Sequence, residues 1–379
     1  MKVLFIEYSY LIGNGGGIYA ARSHINLFAR LSSYMTLIYP SNSTGDIEGV
    51  DTSYISELIP FKDTRSLARK VRDRLTGWWT RYSMLDSSIF DADKYDIVVF
   101  DSSVVSAYLI KIAKGNGLNI ITIHHNYQVE YLKGDGNFFT LPLDIIWTKI
   151  NEGNAVRLSS LNIVLTPQDA ELLSKHYSKD ALFQVLGVCE YEPDTTVKKD
   201  EQNRNGHKYL ITGGLSSRQN EESIIRWVTR YYSLLLQEDP RASLTIAGRN
   251  PSQKLSSFIR RHGISLIASP EDMKPILLNS DYYICPVDCG GGLKLKIMDG
   301  LKAGLPVISH SISARGYEPM VEAGVLFDYT DEASFSSAVK KSIRCSKGKE
   351  EIIRIYSSVF SFECGMERLE AILRNASLL

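Results

Sequence analysis

A glycine loop followed by a lysine-bearing segment is the part of the chain best suited to bind an anion. Gly290-Gly291-Gly292 is followed by Leu293, Lys294 and Lys296, and Asp299 lies further into a predicted helix. Glycines let a ligand approach backbone N–H groups closely, and a helix N-terminus favours negative charge. The lysines add mobile positive charge, and a carboxylate can accept hydrogen bonds from sugar hydroxyls. The segment predicts a site for a nucleotide-sugar diphosphate, although the same pattern also begins ordinary helices of α/β proteins.

Two arginines near other loops could meet the same phosphates. Gly213-Gly214 follows a predicted strand over 209–212, and Arg218 comes shortly after it. Arg249 follows Gly248 at the end of another predicted strand. A guanidinium offers a planar fork of donors that matches a phosphate. Each arginine could instead be a solvated loop charge or a cap of the fold, and the sequence leaves both roles open.

Glycines and histidines also stand at strand ends in the first half of the chain. Gly15, Gly16 and Gly17 follow a first predicted strand, and they suit either a sugar-binding loop or a plain strand–helix turn. His124 directly continues the apolar run 120–123, and His125 follows it. We predict that His124 faces the ligand, with His125 as the second candidate. A histidine in this place can also be purely structural.

Length and composition set the class of protein. A chain of 379 residues is too long for one ordinary core and suits two domains. It is 44% hydrophobic and 23% charged with zero net charge, so no overall field attracts nucleic acid. The five cysteines have no metal-ligand spacing, which indicates reduced cytoplasmic thiols. The first residues predict a strand and no signal peptide, and no apolar run could span a bilayer.

Buried strands alternate with helices along the whole chain. Continuous apolar runs at 96–101, 119–123 and 161–166 are typical of central parallel strands, and the alternation restarts after a polar stretch. The pattern predicts two α/β domains with doubly wound parallel sheets. We place the first domain at 1–190, a linker at 191–207, the second domain at 208–350 and a closing helical region at 351–379.

The segments 212–220 and 289–309 resemble the donor-binding signature of GT-B glycosyltransferases, in particular the large retaining family four. That signature carries two glutamates eight positions apart, and here Gly291 and Asp299 hold those positions. A subgroup that opens Gly-Gly-Gly-x-Arg-x-Lys is also similar, with Lys294 in the place of the arginine. The resemblance covers nearly the whole chain, most specifically residues 212–316.

The resemblance implies transfer of a hexose-type sugar from a nucleoside diphosphate sugar to a hydroxyl of a glycan or lipid-linked saccharide. It implies retention of the anomeric configuration, no metal and no other cofactor. Lys294, Lys296 and Arg218 would neutralise the leaving diphosphate, Asp299 would hold ribose hydroxyls, and His124 would bond the transferred sugar. The last helix would cross back to the first domain. The other implied donor contacts are Gly16, Gly17, Gly213, Gly214, Arg249, Gly291, Gly292 and Leu293.

A basic stretch in the first domain predicts contact with a membrane surface. Apolar residues recur at helical spacing from Leu67 to Tyr82, with Trp78 and Trp79 among them. Many basic residues lie between, including Arg69 and Arg72, and such a face is typical of helices in a membrane interface. We predict a cytoplasmic protein that docks on the inner face of the membrane. The alternative is an amphipathic helix packed on the sheet.

Two other functions remain compatible with the sequence. A nucleotide-sugar epimerase would use the same fold, although its acids in the cleft are not evident here. A non-catalytic subunit that binds a partner is the second, because Gly291 replaces a glutamate of the signature.

Overall fold

The computed structural model describes residues 1–13, 15–42, 47–77, 80–105, 107–135, 141–191 and 207–379. By their contacts these residues form two compact units, one of Met1–Asp194, Gly291–Leu293 and Phe360–Leu379, the other of Thr195–Gly290 and Lys294–Val359. The linker predicted at 191–207 lies almost entirely outside the described residues.

The first unit contains a seven-stranded parallel sheet in the order β3-β2-β1-β4-β5-β6-β7. Its strands are β1 (Lys2–Glu7), β2 (Tyr34–Pro40), β3 (Glu57–Phe61), β4 (Ile97–Asp101), β5 (Asn119–His124), β6 (Leu161–Val164) and β7 (Phe183–Val185). Its helices before the second sheet are α1 (Gly16–Leu31), α2 (Leu67–Leu75), α3 (Ala107–Gly115), α4 (Gln128–Asp135), α5 (Leu141–Leu158) and α6 (Pro167–His176). The central strands β1 and β4 are buried along nearly their whole length, as expected where helices cover both faces of a sheet.

The second unit contains a six-stranded parallel sheet in the order β10-β9-β8-β11-β12-β13. Its strands are β8 (His207–Gly214), β9 (Ala242–Arg249), β10 (Ser265–Ala268), β11 (Tyr282–Cys285), β12 (Val307–His310) and β13 (Leu326–Tyr329). Its helices are α7 (Arg218–Glu238), α8 (Gln253–Arg261), α9 (Lys274–Leu278), α10 (Lys296–Lys302), α11 (Glu318–Glu322), α12 (Glu332–Ile343) and α13 (Lys349–Phe360). The predicted class, two doubly wound parallel sheets, is confirmed.

The chain ends in a helix that belongs to the first unit. Ser361 caps the helix α14 (Phe362–Asn375) by accepting a hydrogen bond from Cys364, so the chain bends between Phe360 and Phe362. Leu369, Ile372 and Leu373 of α14 join the core formed by β1, β2 and α1. Burial of these three side chains, at about 1.5–3 kcal/mol each, holds the C-terminus on the first unit.

The basic stretch forms a shorter helix than its spacing predicts. The helix α2 ends at Leu75, and Gly77 follows with a φ of +82°. A Cβ at Gly77 would come 2.5 Å from the ring of Trp147, so only glycine fits there. Tyr82, predicted on the same helix, lies in a separate turn and is fully buried. Trp78 and Trp79 lie outside the described residues.

Candidate functional site

Each sheet reverses its strand order at one point, where side chains of several elements meet. The reversal lies between β1 and β4 in the first unit and between β8 and β11 in the second. Open α/β sheets bind ligands outside the carboxyl ends of the strands at this switch point. Residues that bind a ligand are therefore expected close to these two switch points.

In the second unit, Lys296 lies at the switch point. Its Nζ donates to Asn220 Oδ1 at 2.6 Å, and Asn220 Nδ2 donates to the carbonyl of Gly214 at 3.0 Å. A Cβ at Gly213 would lie 3.4 Å from Lys296 Nζ. The structure thus brings the ammonium group against the glycines that end β8. Asn220 is the residue that holds it there.

Lys294 lies in the loop before α10, close to the glycine turn. Gly290 has a φ of +80°, and a Cβ placed on it would lie 3.5 Å from Lys294 Nζ. Gln219, at the start of α7, donates to the carbonyl of Cys289 at 2.7 Å. Tyr317 donates to the carbonyl of Lys294 at 3.1 Å. These bonds fix the loop so that both lysines and the first turn of α7 border the end of β8.

Burial makes Lys296 sensitive to an anion. Desolvation lowers the pKa of Lys296, although the nearby Cys285 and Asp299 partly offset this effect. A diphosphate beside the ammonium group would favour its charged form. The position therefore suits a ligand that carries negative charge more than a neutral one.

The two arginines have exposed side chains, whereas the two lysines are half-buried. Arg218 is the first residue of α7, its side chain is 73% exposed, and Nε donates to Glu222 at 2.8 Å one turn later. Its predicted role at the diphosphate stays a prediction. Arg249 ends β9 with an exposed side chain, and its carbonyl accepts from Leu215.

Two strained residues follow the ends of β9 and β10. Asn250 and Ser269 have φ values of +51° and +49°, which non-glycine residues rarely adopt. The Asn250 N–H donates to Ser269 Oγ at 3.0 Å, which joins the two loops. Backbone strain of this kind clusters at ligand sites.

Asp299 lies on α10 with an exposed side chain, one turn beyond Lys296. The helix packs closely on β11, because a Cβ at Gly300 would come 2.7 Å from the ring of Tyr283. Tyr283 in turn shares a hydrogen bond of 2.6 Å with Thr212 at the end of β8. The carboxylate is accessible to a ligand, and its contact with ribose stays a prediction.

In the first unit the glycine loop opens α1. Gly15 is the N-cap, and Gly16 and Gly17 are the first helical residues, exposed and without a side-chain cap. Nothing lies within 4 Å of a Cβ placed on Gly17, so packing does not require a glycine there. A helix N-terminus without a cap leaves backbone N–H groups for water or a ligand.

The preference for His124 over His125 is wrong. His124 is fully buried, its Nε2 bonds Asn162 Oδ1 at 3.0 Å, and desolvation lowers its pKa to about 4. A side chain with no exposed surface cannot touch a sugar. His125, one residue beyond β5, has a side chain that is 16% exposed and bonds Asp101 Oδ1 at 2.5 Å. The alternation of side chains along the strand turns His124 into the fold and His125 to the site.

Asp101 and Glu7 complete a cluster that sequence reasoning missed. Both residues end strands at the switch point, β4 and β1, and they are register partners. Ser102, directly after Asp101, has a φ of +114°, another strained position. The available signal was that an acid ends each of two neighbouring apolar strands. The sequence does not show that β1 and β4 are neighbours.

One group in the described part of the chain is close enough to suggest a metal ion. His24, Asp101 and His125 offer atoms that lie within 4.8 Å of one another. However, His125 Nε2 and Asp101 Oδ1 are hydrogen-bonded at 2.5 Å. Two ligands of one ion at about 2.1 Å lie about 3 Å or more apart. In this structure these two residues are hydrogen-bonded to each other, and the expectation that no metal is needed stays a prediction.

The glycines at 291 and 292 group with the first unit by their contacts. A Cβ at Gly291 would lie 3.3 Å from an oxygen of Asp169 and 3.8 Å from one of Glu130. Gly292 has a φ of +72°, and its Cβ would lie 2.6 Å from the His125 carbonyl. A glutamate at 291, as in the family signature, would meet two acids here. Leu293 is buried.

The helix α2 carries its apolar residues on the outside. Leu67, Val71 and Leu75 are 78%, 52% and 61% exposed, whereas Asp73 is buried. The alternative of an apolar face packed on the sheet is therefore wrong. Arg69 donates to the Ser83 carbonyl at 3.0 Å and its side chain is 38% exposed, so its predicted membrane contact stays a prediction.

Arg72 is 66% exposed. Among the described residues, no helix has both the length and the apolar character of a membrane span. No two of the five cysteines form a disulfide bond.

The fold of the chain is the GT-B fold. A sucrose-phosphate synthase from Thermosynechococcus elongatus has a TM-score of 0.72 at 11% identity, covering 99% of this chain and 98% of that one. The lipopolysaccharide outer core galactosyltransferase WaaB has 0.65 at 14%, covering 99% of both chains. HepE from Anabaena, in complex with UDP and glucose, has 0.64 at 14%, again covering 99% of both.

The sequence adds a more specific likeness. Residues 206–344 match the family model described as "Glycosyl transferases group 1", so the predicted resemblance to these enzymes is confirmed. A Klebsiella pneumoniae protein described as "Uncharacterized 44.6 kDa protein in cps region" is 25% identical over 289 residues, 71% of this chain and 70% of that protein. The segment that matches the family model, residues 206–344, includes Gly213, Lys294, Lys296 and Asp299.

Proposed function

We propose that the protein is a glycosyltransferase that moves a hexose-type sugar from a nucleoside diphosphate sugar to a hydroxyl of a glycan or lipid-linked saccharide. The observation that carries the proposal is the position of Lys296, held by Asn220 against the glycines that end β8, with Lys294 in the adjoining loop. As in the family that the chain resembles, the transfer would retain the anomeric configuration and need no metal.

The lysines would act mainly on the leaving group. Negative charge grows on the diphosphate as the glycosidic bond breaks, and a fixed positive group stabilises that charge by about 3 kcal/mol. Asp299 would hold the ribose, because its exposed carboxylate follows Lys296 on the same helix. His125, and not His124, would meet the transferred sugar.

Calorimetry with a panel of uridine, guanosine and thymidine diphosphates tests donor binding. We expect one of them to bind the wild-type protein, with uridine diphosphate the first to try because HepE was solved with UDP. Lys294→Ala and Lys296→Ala should each weaken that binding at least tenfold. Lys302→Ala, at the other end of α10, is the control and should bind normally.

Two outcomes separate this proposal from its alternatives. Failure of every diphosphate to bind would favour a non-catalytic subunit. Conversion of a nucleotide sugar in the absence of any acceptor would favour an epimerase. Transfer to an added acceptor, with the anomeric configuration read by NMR, would support the proposal.

We also propose that α2 docks the protein on an anionic membrane surface of the cytoplasm. Leu67, Val71 and Leu75 lie four residues apart and form one exposed stripe. The helix positions beside the stripe hold Lys70 and Arg74 on one flank and Arg72 on the other. An amphipathic helix with basic flanks suits a lipid interface, where each basic residue adds about 1 kcal/mol.

Vesicle flotation of the full chain tests this docking. We expect binding to vesicles with anionic lipid, weaker binding to zwitterionic vesicles, and loss of binding when Leu67, Val71 and Leu75 become Ser. Leu236→Ser changes an exposed leucine of α7 and should bind like the wild type. Equal binding to both kinds of vesicle, or by the triple variant, would refute the proposal.

A further inference from the structure

The carboxyl groups of Glu7 and Asp101 lie side by side in the interior of the first unit. Both residues are 1% exposed, and they are register partners in neighbouring parallel strands. The Ser9 N–H donates to Glu7 Oε1 at 2.5 Å. Among the described residues no donor serves Glu7 Oε2 or Asp101 Oδ2. Two such acids repel each other if both are ionised, so a group that satisfies both oxygens is needed.

A single shared proton satisfies both oxygens. Burial, and then the charge of Asp101 and the hydrogen bond with it, raise the pKa of Glu7 well above its ordinary value. Burial would also raise the pKa of Asp101, but the charge of His125 and its hydrogen bond outweigh this and lower that pKa to about 2. Two carboxyl groups in one site share a proton in this way. The proton therefore belongs to Glu7.

The other titratable groups around the pair leave His125 as its cation. His24 Nε2 lies 3.0 Å from the Gly187 carbonyl, and desolvation lowers the pKa of His24, which disfavours a positive charge on that ring. The Tyr82 hydroxyl donates to the backbone carbonyl of Glu7, and Arg81 acts on Tyr82. Burial lowers the pKa of His125, but the charge of Asp101 and its hydrogen bond raise it above its ordinary value.

We propose that Glu7 is a positioning residue that stays protonated in the folded protein and leaves Asp101 with the single negative charge that holds His125 as an imidazolium. Glu7 does not reach a ligand, because it is only 1% exposed. It acts by donating to Asp101 Oδ2, which turns Oδ1 toward the ring. The role of that ring in sugar transfer rests on the proposed function, whereas the protonation of Glu7 does not.

Ring-labelled histidine NMR of the full chain tests the charge arrangement. The His125 signal is assigned with His125→Gln, and its titration is followed in the wild type and two variants. Glu7→Gln keeps a neutral donor of the same shape, so the His125 midpoint should move by less than about 0.5 pH unit. Asp101→Asn removes the paired charge, so the midpoint should fall by about 1 pH unit or more.

An ionised Glu7 would give a different and equally clear result. If Glu7 is ionised in the native protein, Glu7→Gln removes a second negative charge from the cluster, and the His125 midpoint falls as it does in Asp101→Asn. That result would overturn the proposal. Should Glu7→Gln fail to fold, the infrared spectrum of Glu152→Gln at pH 8 decides, because Glu152 is another buried acid and burial raises its pKa to about 7. A protonated carboxyl band supports the proposal, and its absence overturns it.

Failure here differs from failure of the proposed function. A protein that binds no nucleoside diphosphate could still show the expected His125 titration. Where transfer is measured, the pH above which kcat/KM declines should be lower in Asp101→Asn than in the wild type. Glu7→Gln should keep the wild-type pH profile, because the amide replaces a neutral donor without changing the charge of the cluster.

Discussion

At the scale of single residues, the two lysines are the side chains best placed to take part in the reaction. Lys296 is held by one short hydrogen bond to Asn220, so its ammonium group has a defined place before any ligand arrives. A donor fixed in advance loses little free energy to reorganisation during the reaction. Lys294 shares the loop that Gln219 and Tyr317 hold in place. The lysines therefore carry the residue-scale test of the mechanism.

Turnover should fall when either lysine loses its charge. Lys294→Ala and Lys296→Ala should each reduce kcat by about two orders of magnitude, because each removes about 3 kcal/mol of stabilisation from the developing diphosphate charge. Initial rates at saturating donor measure this effect. Near-normal rates in both variants would remove these residues from the mechanism, whatever their effect on binding.

His124 should make the fold sensitive to acid. Its pKa lies near 4 in the folded protein and near 6.5 when unfolded, so the unfolded state takes up the proton first as the pH falls. This histidine thus contributes stability above pH 6.5 and loses about 3 kcal/mol of it by pH 4. Urea unfolding at several pH values should show a shallower loss for His124→Gln. His262→Gln changes an exposed histidine and should keep the wild-type slope.

The cluster around Asp101 shows what a sequence leaves open at this scale. Acids at the ends of β1 and β4 are visible in the sequence, but they lie 94 positions apart. Their contact depends on strand order, which apolar runs do not encode. The two lysines are easier to recognise as candidates from the sequence, because they follow the glycine loop within a few residues. The choice of His124 in place of His125 is a register error, because a shift of one residue along a strand moves a side chain to the other face of the sheet.

At the scale of elements, the strands that sequence reasoning missed lie at sheet edges. β3 and β7 are the outer strands of the first sheet, and β13 is an outer strand of the second. In β3 the side chains alternate between half-buried and exposed, and β7 has three residues. Neither gives the continuous apolar run that marks a central strand. The helix α2 was placed correctly but drawn too long, because the contact of Gly77 with Trp147 is not local.

Docking of α14 depends on a close approach at one glycine. A Cβ at Gly365 would lie 2.5 Å from Cys189 Sγ and 3.3 Å from Leu27 Cδ2. Gly365→Ala should therefore lower the free energy of unfolding by about 1–3 kcal/mol, the usual effect of overpacking a core. Gly115→Ala, at the end of α3 with nothing within 4 Å, should be neutral or stabilising by up to about 1 kcal/mol. Urea unfolding compares the two, and an equal effect would show that α14 packs loosely.

At the scale of the whole molecule, two compact units divide the chemistry. The lysines, Asn220 and Asp299 belong to one unit, and Glu7, Asp101 and His125 belong to the other. Each group lies at the switch point of its own sheet. The alternation of strands and helices was sufficient to predict both sheets. It could not predict which strands are neighbours, and the contents of each site depend on that order.

Calorimetric unfolding should therefore show two transitions that respond to different changes. A nucleoside diphosphate at about one hundred times its Kd adds about 2.7 kcal/mol to the unit that binds it, which raises the midpoint by about 5–10 °C. Only the transition of the second unit should move. Gly365→Ala should lower only the other transition, because α14 packs in the core of the first unit. If both changes move one common transition, the two units unfold together as one cooperative system.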